Sequence, residues 1–362
     1  MEPFGAALPR HRIAVSCNRL HDGRVSNENR VTLRDVAEAA GVSVATVSRS
    51  INDDPQISAA TRVRVAALAD ELGYVPDAAA RSLAVRSSRT FGLLITDSTD
   101  PVHGTLISGF ERAAQAAGYT VIVANSGGDA VRECRALREF LAHRADGIAI
   151  MGTVLEHEST VARVRPSPVV FLNPERLRRG EIASLPTGCL RPDDADGIRQ
   201  IVEHLVAGGY KSFAFVTGDR PASGHVRAEA LRREVRERTG RDLVAVLTWD
   251  ALNRGALARA LANAGADAVV GFDDRVALGL LDAFRSIGRR VPDDVAVVGF
   301  DDIPFAEISN PRLTTVSQPA GEMGAMAVEL LLEAIATGTL APSRTLPVRL
   351  VVRESSVRHP SG

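Results

Sequence analysis

Between Thr32 and Asn52 the apolar positions fall at helical spacing. Leu33, Val36, Ala37 and Ala40 recur at i, i+3, i+4 and i+7, the mark of one buried helical face, and Thr32 stands where an N-cap belongs. Gly41 follows where the chain must turn, Val42 is an apolar plug, and Ser43 can cap a second helix with Val47 and Ile51 inward. After a loop to Ile57, Ser58 caps a third helix, with Val65, Leu68, Ala69 and Leu72 on its inner side and Gly73 ending it. Tyr74-Val75-Pro76 breaks the pattern. Asp77 can cap once more, and AAARSLAVR then reads as a helix of about two turns, which needs a partner because helix nucleation is costly. From Arg89 the pattern changes to apolar runs alternating with helical stretches: FGLLI (91–95), TVIVAN (120–125), GIAIMG (147–152), VVFLN (169–173), FAFVTG (213–218), LVAVL (243–247), AVVGF (268–272) and AVVGF (296–300). Continuous apolar runs between helices indicate parallel sheets covered on both faces, and the length accommodates two of them, each doubly wound.

Ala37, Gly41 and Val47 hold the places where two helices crossing at close range need a small residue, a turn glycine and a branched apolar side chain. Val44, Ala45, Thr46, Ser48 and Arg49 then face outward. Short hydroxyl and methyl groups beside an arginine suit base edges and phosphates, which points to a helix-turn-helix; an ordinary helical hairpin is the competing reading. Residues 1–30 show no sustained periodicity and read as a disordered extension, with an arm contacting DNA through Arg10, Arg12, Arg19, Arg24 and Arg30 as the alternative.

The stretch VTLRDVAEAAGVSVATVSRSIN resembles the amino-terminal motif of the LacI/GalR family of bacterial transcription regulators. The likeness continues through ARSLAVRSSRTFGLLI, VVGFDDRVALG, VAVVGFDDIPFAEISNPRLTTVSQP and LPVRLVVRES, from Val31 to Ser355. It implies an α/β chain with a three-helix helix-turn-helix domain over 31–76, a hinge helix and linker over 77–88, and a periplasmic-binding-protein-like core over 89–356, followed by a tail over 357–362. The core would comprise one subdomain of about 89–189 and 318–340 and another of about 190–317 and 341–356, with crossovers near Leu190, Gln318 and Ala341. Thr32, Ser43 and the outward positions of the second helix would contact DNA, as would Arg81. Leu83 would be the hinge leucine that wedges into the minor groove, a linker residue packed on the core being the competing role.

Composition narrows the classes. The chain has 362 residues, 45% of them hydrophobic, enough for two or three compact units. No apolar run is long enough to span a bilayer, and the amino terminus lacks the apolar core of a secretory signal, so a cytoplasmic setting is expected. Cys17, Cys134 and Cys189 are too few and too scattered for a disulfide framework or a zinc site, and no metal or cofactor is expected. The net charge of −1 offers no hint of nucleic acid, and from Val31 to Arg89 seven arginines balance seven acids, so any DNA footprint must come from where the charges point.

Ligand candidates sit at strand ends, where loops of open α/β sheets converge. In TDSTDPVH the resemblance places Asp100 and His103 at effector positions, His103 replacing an aromatic ring. Arg227 in RAEAL matches the family's arginine, although Ala230 and Leu231 stand where glycine and an aromatic are usual; surface solvation is its competing role. Asp273 stands where the family often has Asn or Ser, beside Asp274, and capping the following helix is the alternative for one of the pair. Asp301 matches the effector-binding aspartate, and Trp249 offers a flat face for a sugar ring. The acids also raise a glycoside-hydrolase reading, set aside because they match binding positions of a non-catalytic family. A sugar-binding protein of periplasmic type is the other alternative. The expectation is therefore a non-enzymatic repressor of carbohydrate-related genes, binding a pseudo-palindromic operator and a sugar or polyol effector. No heptad repeat follows LPVRLVVRES, so a homodimer rather than a larger bundle is expected.

Overall fold

The computed structural model describes residues 31–52, 54–74, 87–153, 155, 157–174, 188–218, 224–339 and 342–358. The expected extension over 1–30 and the expected hinge helix, with Arg81 and Leu83, lie outside the described residues. The chain divides into two compact units, with the division at Ala78.

The first unit is built from α1 (Leu33–Ala40), α2 (Val44–Ile51) and α3 (Ala59–Leu72). Each start is capped as its sequence dictates. Thr32 and Asp35 form a reciprocal capping box, while Ser43 and Ser58 accept from the backbone N–H groups of Thr46 and Thr61. Gly41 ends α1 with φ 63°, a left-handed conformation that side chains resist, so the turn into α2 needs glycine there. Val36, Val47 and Val65, one from each helix, meet fully buried at the centre. Leu72, expected to face inward, is instead 39% exposed in the last turn of α3, outside that cluster.

The second unit has two lobes. The first holds β1 (Thr90–Ile95), β2 (Thr120–Asn125), β3 (Gly147–Met151), β4 (Val169–Leu172), β5 (Gly188–Pro192) and β11 (Arg344–Leu346) in the order β11-β5-β4-β3-β1-β2, every pair parallel. Side chains alternate across the sheet, and both faces are covered. Phe91, Leu93 and Ile95 pack on Leu106 and Phe110 of α4 (Pro101–Ala116) and on Leu331 of α12 (Ala320–Thr337). Leu94, Ile148 and Ile150 face the other way, onto Phe140 of α5 (Ala130–Ala142) and Val164 of α6 (His157–Val164). Helices α4 and α12 touch backbone to backbone. A Cβ on Gly109 would collide with the Gly321 carbonyl, and one on Gly324 with the Leu106 carbonyl.

The second lobe is a four-stranded parallel sheet of β6 (Phe213–Thr217), β7 (Ala245–Thr248), β8 (Ala268–Gly271) and β9 (Ala296–Val298), ordered β7-β6-β8-β9. Phe213 and Phe215 pack on α7 (Asp194–Ala207) and α8 (His225–Thr239) through Ile201 and Leu231. Ala214 and Val216 pack on α9 (Arg254–Asn263) and α10 (Asp274–Ser286) through Leu261 and Leu280. After the short α11 (Pro304–Ile308), β10 (Thr315–Ser317) pairs antiparallel with β12 (Arg349–Val351), an arrangement the apolar runs do not announce.

Leu190 lies inside β5, so the first chain crossing follows Pro192, just ahead of α7. The third chain crossing differs from expectation: it falls between Leu346 and Arg349 rather than near Ala341, because β11 still pairs with β5, Arg344 opposite Leu190, before β12 joins the other lobe. Among the described residues no helix is long and apolar enough to cross a membrane.

Candidate functional site: an outward helix and an interlobe cleft

In the first unit, α2 presents Val44, Ala45 and Arg49 to solvent, with Thr46 and Ser48 half-buried beside them. Ser43 and Thr46 share a hydroxyl hydrogen bond of 2.9 Å, so both also hold the helix start in shape. Arg49 lies 3.9 Å from the Asp54 carboxylate, and more than half of its side chain is exposed. At that exposure the contact is weak enough to leave the guanidinium available to another partner. Thr32 is exposed at the start of α1, its hydroxyl engaged with Asp35.

In the second unit a cavity of about 300 Å³ opens between the lobes at the carboxyl ends of their strands. All six expected residues, Asp100, His103, Arg227, Trp249, Asp273 and Asp301, line it. Their roles differ in detail from expectation. Asp100 caps α4, accepting from the Val102 N–H at 2.9 Å. His103 is buried, and its Nδ1–H donates to the Asp97 carbonyl at 2.5 Å. Trp249 lies over α10, where a Cβ on Gly279 would strike its ring.

Arg227 is not a solvated surface residue. Its guanidinium is packed against the rings of Phe272 and Phe300, with Nε donating to Asp194 Oδ1 at 2.9 Å and Nη1 to the Phe272 carbonyl at 2.5 Å. Two of its five N–H groups are thus held by the protein, one on Nε and one on Nη1, while the second on Nη1 and both on Nη2 make no hydrogen bond among the described contacts.

Asp273 takes the capping role: it accepts from Val276 N–H at 2.8 Å, and its other oxygen pairs with Arg275 at 3.2 Å. Burial raises its carboxyl pKa, opposed by the Val276 N–H and by Arg275. Asp274 turns away from the cleft. It is buried, accepting from Ile303 N–H and from the Thr315 hydroxyl, and burial pushes its pKa up to about 7.

Asp301 is held well above the usual carboxylate range by burial, against the pull of Arg227. Its backbone has φ 131°, and Asp302 follows at 57°, conformations that cost energy for any residue with a side chain. The surroundings hold them in place. Asp301 N–H donates to the Val316 carbonyl at 2.7 Å, and Arg353 grips the Asp302 carboxylate at 2.8 Å. Gln318 Nε2 donates to Asp301, while Gln318 Oε1 is buried with no hydrogen-bond partner. Sequence reasoning did not single out Asp97, Asn173, Arg275 or Gln318, which also line the cavity. Asp97 and Asn173 follow strands and share the strand-end signal; Arg275 and Gln318 carry none.

An outward-facing helix-turn-helix and a two-lobed core with a polar cleft, on one chain, define a DNA-binding regulator with a ligand-binding core. Comparison with known proteins agrees. Residues 32–77 match the bacterial regulatory proteins of the lacI family, and residues 202–356 match the periplasmic binding protein-like domain. The HTH-type transcriptional repressor PurR of Vibrio parahaemolyticus is 33% identical, across 84% of this chain and 92% of its own length. The ribose operon repressor of Escherichia coli is 32% identical, across 86% and 96%. A lac repressor dimer bound to operator and the anti-inducer ONPF superposes with a TM-score of 0.80 at 29% identity, covering 91% of this chain and all of that one. The chain belongs to the LacI family of bacterial regulatory proteins.

Proposed function

We propose that this chain is a cytoplasmic transcriptional repressor of carbohydrate-related genes. As a homodimer it grips a pseudo-palindromic operator, and a neutral polyhydroxylated ligand, a sugar or related polyol, sets that grip from the interlobe cleft. The carrying observation is the cleft's lining. The Asp301 carboxyl, the uncommitted N–H groups of Arg227 and the unpartnered Gln318 Oε1 line the cleft together with the Trp249 ring. A hydroxyl both donates and accepts, so a polyol satisfies acceptors and donors together, whereas an apolar ligand would bury them unpaired. Asp273 offers no free charge for an amine, since its carboxylate is spent on the α10 cap and on Arg275.

On the DNA side, Arg49 and the expected wedge Leu83 are the residues to test. Binding sites selected from random duplex DNA should be pseudo-palindromic, and Arg49→Ala and Leu83→Ala should each bind them more weakly with the fold unchanged. Gel shifts in which both variants match the wild type would remove this assignment. For the effector, a thermal-shift screen of sugars and polyols should find at least one compound that raises the melting temperature, as any ligand of the native state must.

A further inference from the structure

Arg275 bridges the two lobes across the cleft. It stands in the first turn of α10, where the helix dipole disfavours a cation, so something must hold it there. Three carboxylates do: Nη1 lies 3.1 Å from Asp97 Oδ2, and Nη2 lies 3.4 Å from Asp100 Oδ2 and 3.2 Å from Asp273 Oδ2. Asp97 and Asp100 belong to the first lobe, Asp273 and Arg275 to the second. Without the guanidinium, three like charges from two lobes would face one another across the cleft, an arrangement that favours either protonation or capture of a cation. Burial opposes the charge on Arg275, yet Asp273 and Asp100 raise its pKa above the usual arginine value.

We propose that Arg275 is a specificity-determining residue: it fills, from within the chain, the cationic subsite that Asp97, Asp100 and Asp273 form across the cleft. The consequence for ligand class rests on the cleft being the ligand site. With that subsite occupied, the cleft refuses ammonium and guanidinium groups and takes neutral hydroxylated ligands. Truncating Arg275 vacates the subsite and turns the same carboxylates toward a cation from solution.

The test is chemical rescue in the full chain. Arg275→Ala is melted with ethylguanidinium, which replaces the severed group, and with ethylurea, its neutral isostere, each at about 10 mM beside a matched-salt control. The variant is expected to melt below the wild type and to recover with ethylguanidinium only, and Asp100→Asn in the Arg275→Ala background is expected to abolish the recovery. Wild type should not respond, its subsite being filled. Arg275→Gln, whose stem fills the space of the ethyl group, is expected to melt below the wild type without rescue; should the alanine form not fold alone, recovery of a cooperative transition with ethylguanidinium only is the expected result. An alanine variant that still unfolds cooperatively but ignores ethylguanidinium would overturn the proposal, as would equal stabilisation of wild type and variant. Neither result depends on the chain binding sugar or DNA, so failure here is distinct from failure of the proposed function.

Discussion

Arg227 is tied into the core as firmly as it faces the cleft, and its removal is expected to show both facts. Arg227→Ala leaves Asp194 without its buried partner, which typically costs about 3 kcal/mol or more, so a lower melting temperature should accompany any loss of ligand binding. Asp301→Asn is the cleaner probe because it keeps the shape. A hydrogen bond between this carboxyl and a ligand hydroxyl contributes about 0.5–1.5 kcal/mol, so calorimetry should find affinity reduced roughly twofold to tenfold. Asp274 gives a pH signature. Its folded pKa is raised to about 7 against an ordinary 3.8, so the folded protein holds a proton that the unfolded chain releases. That contribution to stability is complete below the unfolded value and is lost as pH rises to about 7. Asp274→Asn removes this slope, so its melting temperature should gain on the wild type between pH 4 and pH 7, and parallel curves would contradict the account. What the sequence shows at this scale is which residues end strands: Asp100, Asp273 and Asp301 are visible that way. Arg275 and Gln318 are not, because their importance lies in contacts distant in sequence, Arg275 with Asp97 and Asp100 and Gln318 with Asp301, that no local pattern encodes.

At the scale of elements, caps and close crossings carry the testable energy. Ser43→Ala strips the N-cap of α2 and is expected to lower the stability of the first unit by about 1 kcal/mol, measurable as a shifted denaturant midpoint. Gly109→Ala sets a methyl against the Gly321 backbone where α4 meets α12, and overpacking of this kind costs about 1–3 kcal/mol. An unchanged melting temperature would mean the two helices do not meet as described. The apolar runs of β1, β3, β4, β6, β8 and β9 were legible because strands covered on both faces leave no room for polar residues, and the edge strands β2 and β7, though partly exposed, keep enough Val, Ile and Leu to show as well. β5 reads GCLRP, with glycine, arginine and proline, and β10, β11 and β12 are three residues each, too short to show any period. Their pairing comes from the chain passing between lobes. For the same reason the third crossing could not be located from Ala341, since β11 must first complete the edge of the first sheet.

For the whole molecule the account couples two sites through one chain. Light scattering is expected to give a dimer, and a concentration-independent monomer or a stable tetramer would contradict that part. The coupling itself is reciprocal: if ligand changes operator affinity by some factor, operator must change ligand affinity by the same factor. The most direct measurement is therefore a fluorescence-anisotropy titration of the selected operator duplex, at fixed salt, with and without the compound found by thermal shift. Sequence-specific binding is expected, with a dissociation constant that moves when the compound is present by the factor that operator DNA imposes on the compound's own affinity. Binding no tighter than to random duplex, or an operator affinity indifferent to a compound that demonstrably occupies the cleft, would contradict the account.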